Sequence, residues 1–242
     1  MQLQGFLKKK NLERIMSNTD LITKNDNPML LEALKSARTN LMYSLADIEG
    51  GKCIVITSCA AAEGKTTTCI NLAVSLAQTE SRVLLIDADL RRPRMHTYLD
   101  IKNKTGLANC LGGFCKLDDV IHHIEDLNLD CVTAGDLPPN PAELLSSKKI
   151  KTLVSTVKER YDYILFDTPP INLVTDATAL LRLTENALLV CKCGTTVTTE
   201  MKTAINKLEF ANAKILGFVT IAQKNSNKKT KHYNAYYSPQ DA

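Results

Sequence analysis

The sequence predicts an α/β fold with a mostly parallel central sheet flanked by helices on both faces. Two observations support this prediction. Strand-like apolar runs alternate with helical patterns, and several runs are apolar at every position, as expected of strands covered on both faces. The predicted strands span residues 52–58, 82–87, 129–133, 162–167, 186–192 and 214–222. The predicted helices lie near residues 29–46, 65–79, 142–160, 174–183 and 198–211.

Length and composition indicate one globular domain with polar ends. The chain has 242 residues, of which 44% are hydrophobic and 23% are charged, and this is enough for one sizeable core. We expect a flexible segment at 1–28, a folded domain at 29–223 and a tyrosine-rich tail at 224–242. No apolar stretch approaches the roughly 18 residues of a membrane span, and the first residues lack the apolar centre of a signal peptide. These features predict a cytoplasmic location.

The first strand leads into a loop suited to binding phosphate. Residues 53–58 are mostly apolar, and the small residues after them end in Gly64-Lys65-Thr66. Backbone N–H groups of such a loop point at the β-phosphate, the lysine reaches the β and γ oxygens, and the threonine hydroxyl can bind Mg²⁺. The helix that follows presents its N-terminus to the same phosphates. This predicts a single P-loop domain that binds nucleotide through Ala62, Glu63, Gly64, Lys65, Thr66 and Thr67.

Acidic side chains follow two later strands. Asp87 and Asp89 come directly after the second strand, and Asp167 ends a later strand just before Pro169 and Pro170. A single aspartate at such a place is usually a strand-end or helix-capping group. Ligands of parallel sheets bind at the carboxyl ends of the strands, where these acids and Lys65 are expected to meet. Together they favour a Mg²⁺-nucleotide site.

The eight cysteines are best interpreted as reduced thiols. Several lie inside apolar segments, and no C-x-x-C pair is present. Cys191 and Cys193 alternate along a predicted strand, so they point to opposite faces and do not favour a shared metal.

The motifs resemble those of the bacterial tyrosine kinases (BY-kinases) of capsular and exopolysaccharide synthesis, which are similar to deviant-Walker ATPases. That family has a Walker A loop, an Asp-x-Asp-x-Arg box called Walker A′, and an Asp-x-Pro-Pro box called Walker B. Here the three motifs stand at residues 58–66, 87–91 and 167–170. Residues 135–145 are similar to the family's loop between the two acidic boxes, and the resemblance extends from about residue 29 to the C-terminus.

The resemblance implies an ATP-dependent protein-tyrosine kinase and a role for each site residue. A phenol with a pKa of about 10 is a poor nucleophile at neutral pH, so a carboxylate that accepts its proton is useful, and Asp87 is the candidate. Asp89 and Asp167 would hold Mg²⁺ through its waters, with Thr66 as the inner ligand. Lys65 would stabilise charge on the transferring phosphoryl group. Arg91 could contact either a phosphate or an acid.

The C-terminal tail carries basic residues followed by three tyrosines, Tyr233, Tyr236 and Tyr237. In an unrelated chain, a solvated basic segment or a short docking strand would be the default interpretation. By resemblance, these tyrosines are predicted to be phosphoacceptors in trans. Each phosphotyrosine would add about −1.5 to −2 charges next to the lysines, which gives a physical basis for a switch.

The resemblance also implies partners. The family's ring-shaped oligomer uses a Glu-x-x-Arg-x-x-Arg motif, which here is Glu32, Lys35 and Arg38 on one face of the first helix. Lysine lacks the bidentate fork of arginine, so a weaker ring is expected, and an ordinary charged helix face is the alternative. A transmembrane activator of the polysaccharide chain-length regulator type is the expected partner. It would place the protein at the inner face of the membrane, with membrane contact only through the activator. A net charge of +4 gives no support for nucleic acid as a partner.

Several P-loop positions depart from the usual patterns. Cys59 stands where the general P-loop motif has glycine, and Ala61 and Ala62 stand where family members usually carry Pro-Gly. If residue 62 must adopt a positive φ, alanine there costs about 1–2 kcal/mol. Ala60 replaces the signature lysine of partition and division-site ATPases, which argues against their sandwich-dimer mechanism. A non-transferring ATPase switch that controls a membrane partner is the alternative to the kinase.

Overall fold

The computed structural model describes Leu21 and residues 28–222. Its α-helices are α1 (Pro28–Ser44), α2 (Lys65–Ala77), α3 (Met95–Tyr98), α4 (Leu107–Gly112), α5 (Pro141–Leu144), α6 (Lys148–Arg160), α7 (Asp176–Thr184) and α8 (Thr198–Phe210). Its strands are β1 (Lys52–Ser58), β2 (Val83–Asp87), β3 (Ile121–Ile124), β4 (Leu129–Val132), β5 (Tyr163–Asp167), β6 (Asn186–Lys192) and β7 (Lys214–Ile221).

The strands form one sheet in the order β3-β4-β2-β5-β1-β6-β7. All neighbours pair in parallel except β3, which runs antiparallel to β4 at one edge. The predicted α/β fold with a mostly parallel sheet is therefore confirmed. Within residues 28–222, no helix is long and apolar enough to cross a membrane.

Both faces of the sheet are covered because alternate residues of each central strand enter different cores. In β1, Cys53 and Val55 pack on one side, and Ile54 and Ile56 pack on the other. The first core also receives side chains from α4, α6, α7 and α8, and the second receives them from α1, α2 and α3. Each fully buried aliphatic side chain contributes about 1.5–3 kcal/mol. This explains why these strands are apolar throughout rather than alternating.

Two local predictions were wrong. The single helix predicted near 142–160 is two helices, α5 and α6, because Ser147 is extended and its hydroxyl accepts a hydrogen bond from Ile150 N–H as the N-cap of α6. Strand β3 was not predicted because it carries His122 and His123 and lies half-exposed at an edge, so no apolar run marks it. Most of the predicted terminal segments 1–28 and 224–242 lie outside the described residues.

The strand order brings the predicted motifs together. Strand β5 lies between β1 and β2, with Asp167 beside Asp87 on one side and beside Ile56 on the other. All three strands are parallel, so their carboxyl ends meet at the same edge of the sheet. The P-loop after β1 and both acidic motifs therefore share one site.

Candidate active site

The loop between β1 and α2 is held by side chains of its own ends. Ser58 donates its hydroxyl to the carbonyl of Ala60 over 2.8 Å. Glu63 is buried and accepts from the backbone N–H of Ala60 over 2.9 Å, and its other oxygen accepts from the hydroxyl of Thr196. Glu63 was predicted to bind nucleotide. Its side chain stabilises the conformation of the loop, and its backbone lies in the predicted phosphate-binding segment.

Cys59 takes the usual glycine position without being exposed. Its thiol is buried and contacts Cys191 of β6. Burial raises the pKa of the Cys59 thiol to about 12, so it stays protonated at neutral pH. The cysteine behaves here as a small packing residue.

Four predicted side chains meet at the carboxyl edge of the sheet. Lys65 Nζ lies 3.0 Å from Asp89 Oδ2 and 3.4 Å from Asp167 Oδ1. Thr66 donates its hydroxyl to Asp167 Oδ2 over 2.6 Å. The structure thus brings the P-loop, Walker A′ and Walker B side chains into direct contact.

Asp87 lies behind this group and is fully buried. One of its oxygens accepts from the backbone N–H of Asp89 and the other from that of Met95, each over 3.2 Å. Burial, with the nearby charges of Asp167 and Asp89, raises the pKa of Asp87 well above its usual value. A raised carboxyl pKa favours proton acceptance near neutral pH.

The other charges are shifted by the same environment. Burial also raises the pKa of Asp167. Burial alone would lower the pKa of Lys65, but the carboxylates of Asp167 and Asp89 outweigh it and raise that pKa above its usual value. Lys65 is therefore charged at neutral pH.

The site fits a hydrated divalent cation. Three buried carboxylates (Asp87, Asp89 and Asp167) face a single ammonium, Lys65, so the cluster carries excess negative charge when its acids ionise. Among the residues that the structure describes, no group of three or more His, Cys, Asp or Glu is arranged to hold a metal alone. Mg²⁺ usually keeps several waters and binds one or two carboxylates plus substrate phosphates. Thr66, Asp89 and Asp167 are the oxygen ligands available for such a site.

Comparison with known proteins agrees with this geometry. An AAA-domain family profile matches residues 51–221. The tyrosine-protein kinase YwqD of Bacillus subtilis (strain 168) is 38% identical over 211 residues, covering 87% of each chain. The crystal structure of the chimerical protein CapA2B2 superposes with a TM-score of 0.77 at 34% identity, covering 83% of this chain and 88% of that one. The chain belongs to the bacterial tyrosine kinase family. It spans only 30% of another relative, the tyrosine-protein kinase etk of Escherichia coli (strain K12), which is 34% identical over 219 residues.

In this bacterial tyrosine kinase, the arginine of the A′ box contacts an acid. Arg91 donates to both carboxylate oxygens of Asp176, over 2.9 and 3.0 Å. Asp176 is fully buried at the start of α7, so the pair ties the A′ loop to that helix. The partner of Arg91 could not be chosen from the sequence, and Asp176 was not among the predicted site residues. The only signal was an acidic residue in the first turn of a predicted helix, which is a common feature of helices.

The residues predicted as the family's oligomer interface lie on α1. Glu32 and Lys35 are exposed, and their charged atoms are 3.6 Å apart. Arg38 is half-buried and donates to the carbonyl of Ser75 in α2 over 2.9 Å. Arg38 therefore already stabilises its own chain, and the interface role of the three residues stays a prediction. Tyr233, Tyr236 and Tyr237 lie outside the described residues.

The cost predicted for alanine at position 62 applies only if its φ is positive. In the structure, the φ of Ala62 is 61°. A left-handed alanine costs about 1–2 kcal/mol, whereas glycine adds about 0.4–1 kcal/mol of unfolded-state entropy. We therefore expect Ala62→Gly to stabilise the protein by up to about 1.5 kcal/mol, measured by urea unfolding. Ala61→Gly is the matched control. Ala61 has no positive φ, so the same replacement there should be destabilising. Equal shifts for the two variants would contradict the strain at Ala62.

Proposed function

We propose that the protein transfers the γ-phosphoryl group of ATP, with Mg²⁺, to tyrosines of the C-terminal tail of another copy. The phosphoacceptors are Tyr233, Tyr236 and Tyr237, and the reaction regulates capsular or exopolysaccharide synthesis and export. The observation that carries the proposal is the contact of Lys65 and Thr66 with Asp89 and Asp167, with Asp87 buried behind them.

Each side chain has a task in this reaction. The backbone of residues 62–67 binds the phosphates, and Lys65 stabilises the charge that develops on the transferring group. Mg²⁺ bound with the nucleotide supplies further positive charge at the phosphate oxygens, held by Thr66, Asp89 and Asp167. The ammonium of Lys65 contacts both Asp89 and Asp167 in this structure. When nucleotide binds, the same ammonium must also contact the phosphate.

Asp87 is proposed to accept the phenol proton of the attacking tyrosine. Each of its oxygens accepts one backbone N–H and keeps a second lone pair for the tyrosine hydroxyl, but the side chain is fully buried, so its surroundings must move before a tyrosine can reach it. Both donors, Asp89 and Met95, belong to the segment that follows β2. Movement of this segment is the proposed route by which Asp87 becomes accessible to the tyrosine. The Arg91–Asp176 pair anchors the same segment and sets its resting position.

The assembly and the membrane partner are part of the same proposal. A homo-oligomer, a ring in the family, would bring the tail of one copy to the site of its neighbour. Glu32, Lys35 and Arg38 would lie in the contact, and a transmembrane activator would hold the protein at the inner face of the membrane. Exposure of Glu32 and Lys35 supports their place in the contact between copies. The hydrogen bond from Arg38 to the carbonyl of Ser75 weighs against a large contribution of Arg38 to that contact.

Phosphate mapping tests this function. The full chain is incubated with Mg-ATP, with and without the cytoplasmic segment of a membrane activator, and phosphorylated residues are located by mass spectrometry. We expect phosphate on Tyr233, Tyr236 and Tyr237. The matched control replaces the three tyrosines with phenylalanine, which should abolish tail labelling while ATP binding persists. ATP consumption with an unmodified tail would instead support the non-transferring ATPase switch.

A further inference from the structure

Two cysteines lie side by side at the base of the phosphate-binding loop. Ser58 of β1 pairs with Val190 of β6, and Cys59 and Cys191 are the next residues after this pair. Both cysteines are buried, and their thiols contact each other. The fold therefore holds two sulfur atoms together at the point where the sheet ends and the loop begins.

Both side chains point to the same face of the sheet. Alternate residues of β1 and β6 enter the first of the two cores, where Cys59 lies with Val55 and Cys191 lies with Leu189. Adjacent strands are about 4.8 Å apart. A disulfide needs Cα atoms about 4.4–6.8 Å apart and Cβ atoms directed toward each other. Thiols that already touch from neighbouring strands can therefore be joined with little displacement of the backbone.

We propose that Cys59 and Cys191 are a site of reversible oxidation, at which a hydroperoxide joins the two sulfurs in a disulfide. The thiolate of one cysteine attacks the terminal oxygen of the peroxide and becomes a sulfenic acid, and the O–O bond breaks to release an alcohol, or water from hydrogen peroxide. The thiolate of the other attacks the sulfenic sulfur, the S–S bond forms and water leaves. Two electrons and two protons pass from the thiols to the peroxide. A dithiol reductant restores both thiols.

The closed loop hinders this reaction. The thiolate is the reactive form, but burial raises the pKa of the Cys59 thiol to about 12 and also raises that of Cys191. Oxidation at neutral pH therefore requires an opening of the loop that exposes Cys59 to water. The left-handed backbone of Ala62 favours such an opening, whereas the two hydrogen bonds of Glu63 oppose it.

Nucleotide should protect the pair from oxidation. A ligand that binds only the closed loop lowers the population of the open loop roughly in proportion to the ratio of ligand concentration to Kd. Nucleotide and oxidant thus compete through the conformation of one loop. This protection rests on the proposed function, because it requires nucleotide binding at the loop, but it does not require phosphoryl transfer.

Thiol mapping of the full chain tests the pair directly. The protein is treated with hydrogen peroxide, its free thiols are alkylated, and linked peptides are identified by mass spectrometry without reduction. We expect a linkage between Cys59 and Cys191 that disappears after treatment with dithiothreitol. Oxidation of the exposed Cys193 with no linkage of the buried pair would overturn the proposal.

Single replacements provide matched controls. Cys59→Ala and Cys191→Ala should each abolish the linkage. Cys193→Ala removes an exposed thiol just after β6 and should leave the linkage unchanged. Loss of the linkage in Cys193→Ala would assign the reactive thiol to Cys193 and overturn the proposal. Mapping of the wild-type chain decides the question by itself if an alanine variant does not fold.

The rate of linkage tests the role of the loop. At a Mg-ADP concentration of about 100 times its Kd, formation of the linkage should slow by up to about 100-fold. An equal rate with and without Mg-ADP, in a chain whose binding of Mg-ADP is measured by titration, would overturn protection by nucleotide.

The outcome is independent of tyrosine phosphorylation. Nucleotide-protected linkage of the pair in a chain that never phosphorylates its tail would sustain this inference and reject the kinase. Tail phosphorylation in a chain whose two cysteines never become linked would do the opposite.

Discussion

Replacing Lys65 with methionine is expected to lower phosphoryl transfer to tyrosine by about 10³-fold, the loss typical of removing one charge-stabilising donor. The ammonium is the only cation within hydrogen-bond distance of Asp89 and Asp167 among the contacts of the described site. Methionine keeps the length of the side chain and removes the charge. Transfer of ³²P from labelled ATP to the tail measures the effect.

Mixing experiments sharpen this prediction. The Lys65→Met chain should remain a phosphoacceptor when an active chain is added, because its tail is unchanged. Labelling of the mutant that did not increase on addition of the active chain would contradict transfer in trans. Lys52→Met is a matched control, since Lys52 begins β1 at the opposite edge of the sheet. Its activity should stay within about twofold of wild type, as expected for a surface side chain far from the chemistry.

Folding must be checked because the same lysine neutralises buried acids. Removing one partner of a buried ion pair commonly costs about 3–5 kcal/mol, a large part of the 5–15 kcal/mol that holds a domain together. Lys65→Arg retains the charge and serves as the second variant. Circular dichroism should show both variants folded, with the methionine form melting at the lower temperature. A folded arginine variant that lacks transfer would identify the lysine as catalytic rather than structural.

Asp87→Asn is expected to lower transfer by about 10²–10⁴-fold, the usual contribution of a general base. Asparagine keeps the shape but accepts no proton. In the variant, the side-chain NH₂ group also faces one of the two backbone N–H groups that donate hydrogen bonds to the wild-type carboxylate. ATP affinity should change little, because Asp87 lies behind the residues that are proposed to bind nucleotide. Single-turnover transfer and ATP titration on the same preparation separate the two effects.

The pH dependence of transfer provides a second readout for Asp87. A base works only when deprotonated, so the rate should fall as the pH drops through the pKa of Asp87. Burial and the neighbouring acids raise that pKa, which moves the fall above the value near 4 of an ordinary aspartate. Asp89→Asn is the comparison, and its defect should be partly relieved by high Mg²⁺ concentration. Normal transfer by Asp87→Asn would remove Asp87 from the mechanism.

Much of the fold is readable from the sequence because the central strands are buried on both faces. Runs such as Val83–Asp87 and Tyr163–Asp167 are apolar until their last residue, so their position and ends follow directly. The order of the strands does not follow, since it depends on which long-range pairings form. The half-exposed edge strand β3 and the short break before α6 also lack an apolar signature.

The candidate site divides in the same way. Lys65, Thr66, Asp89 and Asp167 were predicted because each lies at or after the carboxyl end of a recognisable strand, and parallel strands end at one edge. Contacts made by distant loops could not be predicted. Thr196 reaches Glu63 across 133 residues of sequence, and Asp176 reaches Arg91 across 85. Strain at Ala62 was predicted only for the case in which its φ is positive, and the structure was needed to show that it is.

The hydrogen bond between Thr196 and Glu63 joins the phosphate-binding loop to the segment that starts α8. Thr196 also accepts from the backbone N–H of Lys192, so the turn after β6 is fixed at both ends. Two segments that order together share their entropic cost, and a ligand that orders one lowers the cost of ordering the other. Such coupling is reciprocal in free energy. A protein that binds to α8 and steadies this turn would therefore tighten nucleotide binding, and nucleotide would tighten that protein's binding by the same factor.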